Sequence, residues 1–383
     1  MANDDTRSNE ALDRRRFLGA AVAGAAGSVA ACGGTVGEGG SAAVQTRPNV
    51  MWRMASSFPR SLDALYGGAE RLSAKLGELT DGRFIIRPYP PPDLVPALQV
   101  MDAAQQGTVQ VGHTASYYYT GKNPALAFDT GVPFGLTSRQ QDAWLYQGGG
   151  LELMQGVFSD FGIVTMPAGN TGSQMGGWFK REVNTAAELR GLKMRIPGLG
   201  ATVMDRLGVT VQVLAGGEIY PALERGAIDA TEWVGPYDDE KLGFQDAARF
   251  YYYPGWWEPG PSMSFMVNRA AWDQLPSAYQ EAFRVAALYA ATHTQTIYDA
   301  QNPAALQRLV EGGVQLRRFS EDIMRAAHSA ANAIIEENAA ADASYRSIHD
   351  QWRQFRDNSF RWFGTSEQAY AAFAFGAGSQ GQA

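Results

Sequence analysis

Arg195 is the basic side chain whose surroundings most favour ligand chemistry. It lies on a short predicted strand, Leu192–Pro197, in which apolar residues alternate with Lys193 and Arg195, so the two basic side chains share one face. A guanidinium is a planar fork that grips a carboxylate through two parallel hydrogen bonds. The spacing alone also fits a solvated surface arginine, which is the more common situation for this residue type.

Two glutamates follow predicted strands and accompany aromatic residues. Glu232 and Trp233 come directly after the predicted strand 227–230, and Glu258 ends an aromatic run that starts at Tyr251. The ends of strands at a cleft are where α/β proteins bind ligands. Glu232 is therefore open to three interpretations: a solvated loop acid, an acid catalyst, or a ligand of a hard cation. Trp233 belongs either to a cleft or to the core.

The composition excludes several other chemistries. Of 383 residues, 45% are hydrophobic and 19% charged, which is a globular composition, and the formal net charge is -7. The single cysteine permits no intramolecular disulfide, and the four histidines lack metal-ligand spacing, so zinc sites and Cys/His hydrolases are not expected. No basic run occurs beyond the N-terminus, which argues against a nucleic-acid partner.

The N-terminal residues have the features of a targeting segment. Paired Arg14-Arg15 precede an uncharged Ala/Gly/Val-rich run over residues 19–31 that is too short to span a bilayer, so residues 1–31 resemble a twin-arginine export signal. A membrane-surface helix is the alternative. Cys32 follows a lipoprotein-like processing box, and residues 32–47 form a Gly-rich tether. We expect a periplasmic protein, tethered through Cys32 if that cysteine is lipidated and free otherwise.

The order of elements predicts two α/β lobes. A strand, helix, strand, helix, strand pattern occurs over residues 50–112 and again over residues 192–230, which favours mostly parallel sheets with helices on their faces. Two further strand candidates, Gly162–Met166 and Ser264–Asn268, connect the lobes in opposite directions. Two extended crossovers define a hinged clamshell, in which a ligand sits in the cleft and closes it.

The predicted fold class is therefore α/β, a two-lobed clamshell like that of periplasmic binding proteins. Residues 48–165 form the first lobe, completed by part of 264–383, and residues 166–263 form the second. Residues 276–383 are helices that brace both lobes. Asn302-Pro303 should kink or break one of these helices, and Ser320 should cap another.

Four segments carry a resemblance to a known family. They are Asn170–Phe179, Gly191–Pro197, Glu232–Phe244 and Tyr251–Glu258. Together they resemble the TRAP-transporter substrate-binding proteins of the DctP family, over essentially the whole mature chain, and the chain is most similar to the subgroup that binds 2-oxo acids such as pyruvate. The arginine segment is shared widely among TRAP binders, whereas the runs around Glu232 and Glu258 are more restricted.

The resemblance implies a set of site residues. Arg195 would hold the substrate carboxylate and Trp233 would line the pocket. Gln174, Glu232, Glu258 and the backbone carbonyl of Trp233 would surround a metal ion. Oxygen ligands without Cys or His suit Na⁺ or Ca²⁺, and these side chains do not decide between the two ions.

Three further residues are weaker candidates for substrate contact. Asn170 opens the first of the four segments, and Tyr117 and Tyr118 follow a predicted strand end in the first lobe. The two tyrosines are equally well explained as packing residues.

The function that the resemblance implies is capture rather than catalysis. The cleft would close on a small carboxylate and deliver it to the TRAP membrane permease. Two alternatives stay open: a TRAP binder for another carboxylate such as a sugar acid, and a periplasmic enzyme that uses Glu232 and Glu258 as an acid/base pair. The long C-terminal helices fit either internal bracing or a homodimer contact.

Overall fold

The computed structural model describes residues 47–379 of the chain. The predicted export signal over residues 1–31, Cys32 and all but the last residue of the tether lie outside the described residues and stay predictions. Within the described part, no helix combines the length and the apolar character that crossing a membrane requires.

Strands and helices alternate along most of the chain. The strands are β1 (Val50–Ser56), β2 (Phe84–Tyr89), β3 (Val111–Thr114), β4 (Ile163–Asn170), β5 (Trp178–Phe179), β6 (Lys193–Arg195), β7 (Thr210–Gln212), β8 (Ala230–Thr231), β9 (Phe250–Tyr253), β10 (Ser262–Asn268) and β11 (Gln315–Arg318). The α-helices are α1 (Leu65–Leu79), α2 (Val100–Gln105), α3 (Ala127–Thr130), α4 (Ser138–Gln147), α5 (Gly150–Ser159), α6 (Gly198–Arg206), α7 (Gly216–Glu224), α8 (Pro236–Lys241), α9 (Phe244–Ala247), α10 (Arg269–Asp273), α11 (Ser277–Glu311), α12 (Glu321–Ala341), α13 (Ala343–Phe363) and α14 (Ala369–Ser379).

The first sheet contains both crossover strands. Its order is β2-β1-β3-β10-β4, with β1 parallel to β2 and β3, and β10 antiparallel to β3 and β4. The predicted crossovers are thus confirmed as strands, but both lie wholly within this sheet. The predicted lobe boundaries at residues 165/166 and 263/264 consequently fall inside β4 and β10.

The second sheet has the order β11-β9-β5-β8-β6-β7. The β8-β6-β7 segment is parallel, as the repeated strand and helix order predicts, whereas β5 runs antiparallel to both β8 and β9. The expectation of mostly parallel sheets is therefore correct for the βαβ segments and for the β11-β9 pair, which is also parallel. The antiparallel pairs of β5 and β10 make both sheets mixed.

The helix α11 is continuous across Pro303, so of the kink or break predicted at Asn302-Pro303, the break is wrong. Its earlier part packs against α1 and β4 of the first sheet, and it also packs against α8 beside the second sheet. Beyond the proline, Ala305 and Leu309 are buried in the core. Tertiary packing on both sides of Pro303 therefore offsets the hydrogen bond that the proline removes.

The helices α12 and α13 pack on helices that belong to different parts of the fold. Ser320 caps α12 as predicted, because its side chain accepts a hydrogen bond from Ile323 N over 3.3 Å. The helix α12 packs on α6 and on α13, and the latter also contacts α4. Apolar residues of these helices share one buried cluster with residues of both sheets.

Candidate ligand and cation site

Arg195 is buried, not solvated, and strand register explains why. The parallel pairing of β6 with β8 places Arg195 beside Thr231, so the guanidinium lies next to the following residue, Glu232. Its side chain is 1% exposed. Nη1 donates to Glu232 O over 3.1 Å and forms an ion pair with Glu232 Oε1, while Nε donates to Leu214 O over 3.1 Å. These bonds fix the plane of the guanidinium.

Three chain segments meet beside this arginine. Met175 N donates to Val234 O over 3.0 Å, and Gln174 N donates to Glu258 O over 3.2 Å. Gly255 N donates to Gln174 O over 2.9 Å, and a Cβ at Gly255 would stand 2.6 Å from that carbonyl oxygen. Glycine is therefore required for this close approach, which brings the loop that carries Glu258 against Gln174.

Buried oxygen atoms without hydrogen-bond partners characterise the site. Within residues 47–379, Gln174 Oε1, Glu232 Oε2 and Glu258 Oε2 are buried and accept no hydrogen bond, and Arg195 Nη2 donates none. The amide of Gln174 is oriented by its Nε2, which donates to Thr171 Oγ1 over 3.1 Å. Unpaired buried oxygens are costly, and oxygen donors are what Na⁺ and Ca²⁺ require, so the side chains fit a hard cation.

The carboxylates also need a positive charge for electrostatic reasons. Burial raises the pKa of Glu232, with the charge of Asp239 adding to this effect and Arg195 opposing it. Burial and then the charge of Glu232 raise the pKa of Glu258 well above its usual value. No group of three or more His, Cys, Asp or Glu side chains suited to a metal occurs in the described residues. A cation here would therefore rely on the amide and on backbone carbonyl oxygen as well.

A small cavity adjoins these groups. It has a volume of about 10 Å³ and is lined by residues from both sides of the cleft, namely Phe58, Leu65, Tyr117, Tyr118, Thr171, Gln174, Trp233, Val234 and Met263. The three charged side chains, Arg195, Glu232 and Glu258, are buried but are not part of this lining. The Arg195 guanidinium carbon is 5.1 Å from the centre of the Trp233 ring, and Tyr117 contributes a hydrogen bond to Glu258. The cavity is thus mostly apolar with polar groups on one side.

The structure brings together seven of the eight candidate residues. Trp233 is one of the eight, although it was predicted both to line the pocket and to bind the cation. Tyr117 and Tyr118 follow β3 through a short 3-10 turn and pack edge to face, with ring centres 4.8 Å apart. Asn170 is the exception. Its Nδ2 donates to Gly260 O over 2.9 Å and its Oδ1 accepts from Gly172 N over 2.9 Å, so both polar atoms of the side chain are engaged in anchoring the loop after β4.

Sequence reasoning missed five lining residues. Thr171 and Val234 lie inside family-like segments and could have been included on that ground. Phe58, Leu65 and Met263 are apolar residues in or near regular elements, and nothing in their spacing distinguishes a cavity wall from a core.

Comparison with known proteins identifies the family. The model of the family described as "Bacterial extracellular solute-binding protein, family 7", DctP, matches residues 55–342. The chain belongs to this family. The predicted family and the two-lobed α/β fold class are both confirmed.

Three proteins are similar to this DctP-family chain over most of its length. It is 53% identical over 365 residues, covering 95% of this chain and 99% of the relative, to a monocarboxylate 2-oxoacid-binding periplasmic protein of Nostoc sp. (strain PCC 7120 / SAG 25.82 / UTEX 2576). A TRAP solute-binding protein from Bordetella bronchiseptica RB50, crystallised as a mixed-occupancy dimer with copurified calcium and picolinate, is 45% identical with a TM-score of 0.86, and the match covers 88% of this chain and 100% of that one. A third, from Pseudoalteromonas atlantica T6c with bound sodium and pyruvate, is 37% identical with a TM-score of 0.82, covering 85% and 99%.

Proposed function

We propose that this protein is the extracytoplasmic receptor of a TRAP transporter, which binds a small 2-oxo or 2-hydroxy monocarboxylate together with a cation and delivers it to the membrane permease. One observation carries the proposal. The buried Arg195 keeps Nη2 free beside three buried oxygens that accept no hydrogen bond from the described residues. A carboxylate and a cation would satisfy both sets of atoms.

Each residue has a distinct task in this proposal. Arg195 holds one carboxylate oxygen, and Tyr117, Tyr118 and Trp233 exclude water around the ligand. Gln174, Glu232, Glu258 and the Trp233 carbonyl hold the cation. When bound, the ion supplies positive charge and coordinates the adjacent oxygens that a 2-oxo or 2-hydroxy acid offers.

Charge balance mildly favours calcium. Arg195 and Ca²⁺ would match the charges of two glutamates and one carboxylate, whereas Na⁺ would leave one negative charge uncompensated. The Bordetella protein contains calcium and the Pseudoalteromonas protein contains sodium. We therefore propose that either ion supports binding, and that calcium does so more strongly.

Capture explains the site better than catalysis does. An acid/base mechanism would use the two glutamates. They are adjacent to Arg195 and to the unpaired amide oxygen of Gln174, and this set of oxygen atoms suits a bound cation. The tightness of the cavity, about 10 Å³ in this structure, also favours a short monocarboxylate over a sugar acid. The family to which the chain belongs consists of receptors.

Calorimetry of the metal-stripped protein tests the proposal. Pyruvate, lactate, a longer 2-oxo acid and a sugar acid are titrated with Ca²⁺, with Na⁺ and with neither. We expect cation-dependent binding of the first three without turnover by NMR. Conversion of a bound keto acid would instead support the enzyme, and preference for the sugar acid would reassign the ligand.

Substitution of Arg195 sharpens this test. Arg195→Ala should weaken pyruvate binding at least about 100-fold, because a buried carboxylate loses its charged partner. Lys193→Ala is the matched control, since it removes an equal charge from the same strand, where Lys193 Nζ donates to Gly226 O over 2.9 Å. Equal losses in both variants would mean that Arg195 does not hold the carboxylate.

Two finer proposals concern location and assembly. We propose export by the twin-arginine route followed by lipidation of Cys32, which mass spectrometry of the mature N-terminal peptide tests directly. We also propose a homodimer. Tyr370, Phe373 and Phe375 on α14 are between 71% and 78% exposed, and several exposed aromatic side chains in one short helix are typical of a surface that a partner covers.

A further inference from the structure

Asp239 is a buried acid outside the set of proposed ligands. It lies in α8, is 1% exposed, and its two oxygens face different parts of the fold. Oδ1 accepts from Val234 N over 3.2 Å, in the segment that follows Glu232 and Trp233. Oδ2 accepts from Trp178 Nε1 over 2.9 Å and from Tyr251 Oη over 2.7 Å.

These bonds connect the segment after β8, which carries Glu232 and Trp233, to strands of the second sheet. Trp178 belongs to β5 and Tyr251 to β9, and their rings stack with centres 4.0 Å apart. The segment over residues 232–235 joins β8 to α8 without regular structure of its own. Asp239 therefore links the backbone next to Glu232 to two rigid neighbouring strands.

The chemistry of the donors requires a carboxylate. Two of the three groups are N–H donors that cannot accept, and they face opposite oxygens of Asp239. Asparagine has one oxygen and one NH₂ group, so in either orientation its NH₂ would face the N–H of Val234 or of Trp178. The alternative, a buried acid with only a packing task, would not need acceptors on both sides. Burial of an ionisable group without a basic partner is costly and calls for a compensating role.

We propose that Asp239 is a positioning residue for cation binding: its carboxylate holds the Glu232–Val234 segment against β5 and β9, so that Glu232 and the Trp233 carbonyl keep their places. The inference rests on the proposed function. It adds a residue that has no contact with the ion and that the ligand set implied by the family does not include.

The test compares metal-stripped wild type, Asp239→Asn and the control Asp246→Asn, in which an exposed acid of the neighbouring helix α9 is changed. Ca²⁺, and in a second series Na⁺, is titrated at fixed pyruvate, and the melting temperature is measured without ligand. Loss of groups that orient metal ligands costs 10- to 100-fold in metal affinity. We expect Asp239→Asn to require at least about tenfold more cation, with pyruvate affinity recovered once the cation saturates.

The outcomes separate this inference from the proposed function. A purely structural role would lower the melting temperature and leave the cation midpoint unchanged, which would overturn the inference. Wild type without cation-dependent pyruvate binding would overturn the proposed function and this inference with it. If Asp239→Asn does not fold, Tyr251→Phe decides: removal of one donor should raise the cation requirement several-fold, and an unchanged midpoint would reject the positioning role.

Discussion

Trp233 shows how closely single residues shape this site. Its ring lies between the Arg195 guanidinium, 5.1 Å from the ring centre, and the start of α7, where a Cβ added to Gly216 would stand 2.8 Å from Cη2. Real Cβ atoms do not approach that closely, so the glycine determines how far the ring withdraws from the cavity.

Gly216→Ala should therefore push the Trp233 ring toward the ligand and weaken pyruvate binding at least about fivefold. Gly217→Ala is the matched control, because an added Cβ there has no neighbour within 4 Å and the same helix turn gains the same propensity. Calorimetry of both variants gives the answer. Equal pyruvate affinities in the two variants would contradict this prediction, because the Trp233 ring would then have moved without entering the cavity.

Asp129 makes stability depend on pH. Ser116 Oγ donates to its Oδ2 over 2.8 Å and Ser264 also donates to it, yet burial outweighs these bonds and raises its pKa to about 6. Because the folded state then binds the proton more tightly than the unfolded state, the stabilisation is complete below pH 3.8 and is lost as the pH rises through about 6.

Asp129→Asn should abolish this dependence while keeping an oxygen for both serines. Between pH 4 and pH 7, the free energy of unfolding of wild type should fall relative to that of the variant by up to about 3 kcal/mol, from two pKa units at 1.36 kcal/mol each. Urea unfolding at several pH values measures it. A difference that stays constant with pH would contradict the assignment to Asp129.

At the scale of elements, α8 carries a contact across the cleft. Its Tyr237 Oη donates to Asp63 Oδ2 over 2.9 Å, and Lys241 forms an ion pair with the same carboxylate. Asp63 precedes α1 on the side of the first sheet, whereas α8 is fixed to the second sheet through Asp239. Such a contact forms only when the two sides are close together, so it should stabilise the closed cleft.

Lys241→Met should consequently accelerate ligand release. Both partners are partly exposed, so we expect only a two- to fivefold increase in the dissociation rate. Stopped-flow tryptophan fluorescence with pyruvate and Ca²⁺ measures the rate. The control is Lys122→Met, whose ion pair with Asp102 at 2.6 Å lies entirely beside the first sheet. Equal rates in the two variants would contradict a cross-cleft role.

At the scale of the whole molecule, we expect α14 to form the contact between two copies of the chain. Phe373 and Phe375 are 78% and 77% exposed on α14. In water, exposed aromatic side chains of this kind favour association with a second copy.

Changing Tyr370, Phe373 and Phe375 together to Ser should convert a dimer to a monomer in sedimentation velocity experiments. Val285→Ser/Leu288→Ser, at 43% and 47% exposure on α11, is the control that should stay dimeric. A wild-type monomer at micromolar concentration would reject the homodimer.

From the sequence by itself, the features that could be predicted were those that leave a local pattern of residues. Alternation of apolar residues located the strand that carries Arg195, and the order of elements predicted two α/β units with two crossovers. The identity of the cation ligands came from the family-like segments, because carboxylate and amide residues at these spacings are also compatible with solvated loops.

Tertiary structure decided everything that depends on partners distant in the chain. The pairing of β6 with β8 buried Arg195 against Glu232, the packing of α11 carried the helix through Pro303, and backbone contacts engaged both polar atoms of Asn170. Within the family-like segment Glu232–Phe244, nothing marked Asp239 as a positioning residue, since its partners are 5, 12 and 61 residues away. Periodicity indicates which face of an element is buried, but strand register and helix packing determine which partners each buried group contacts.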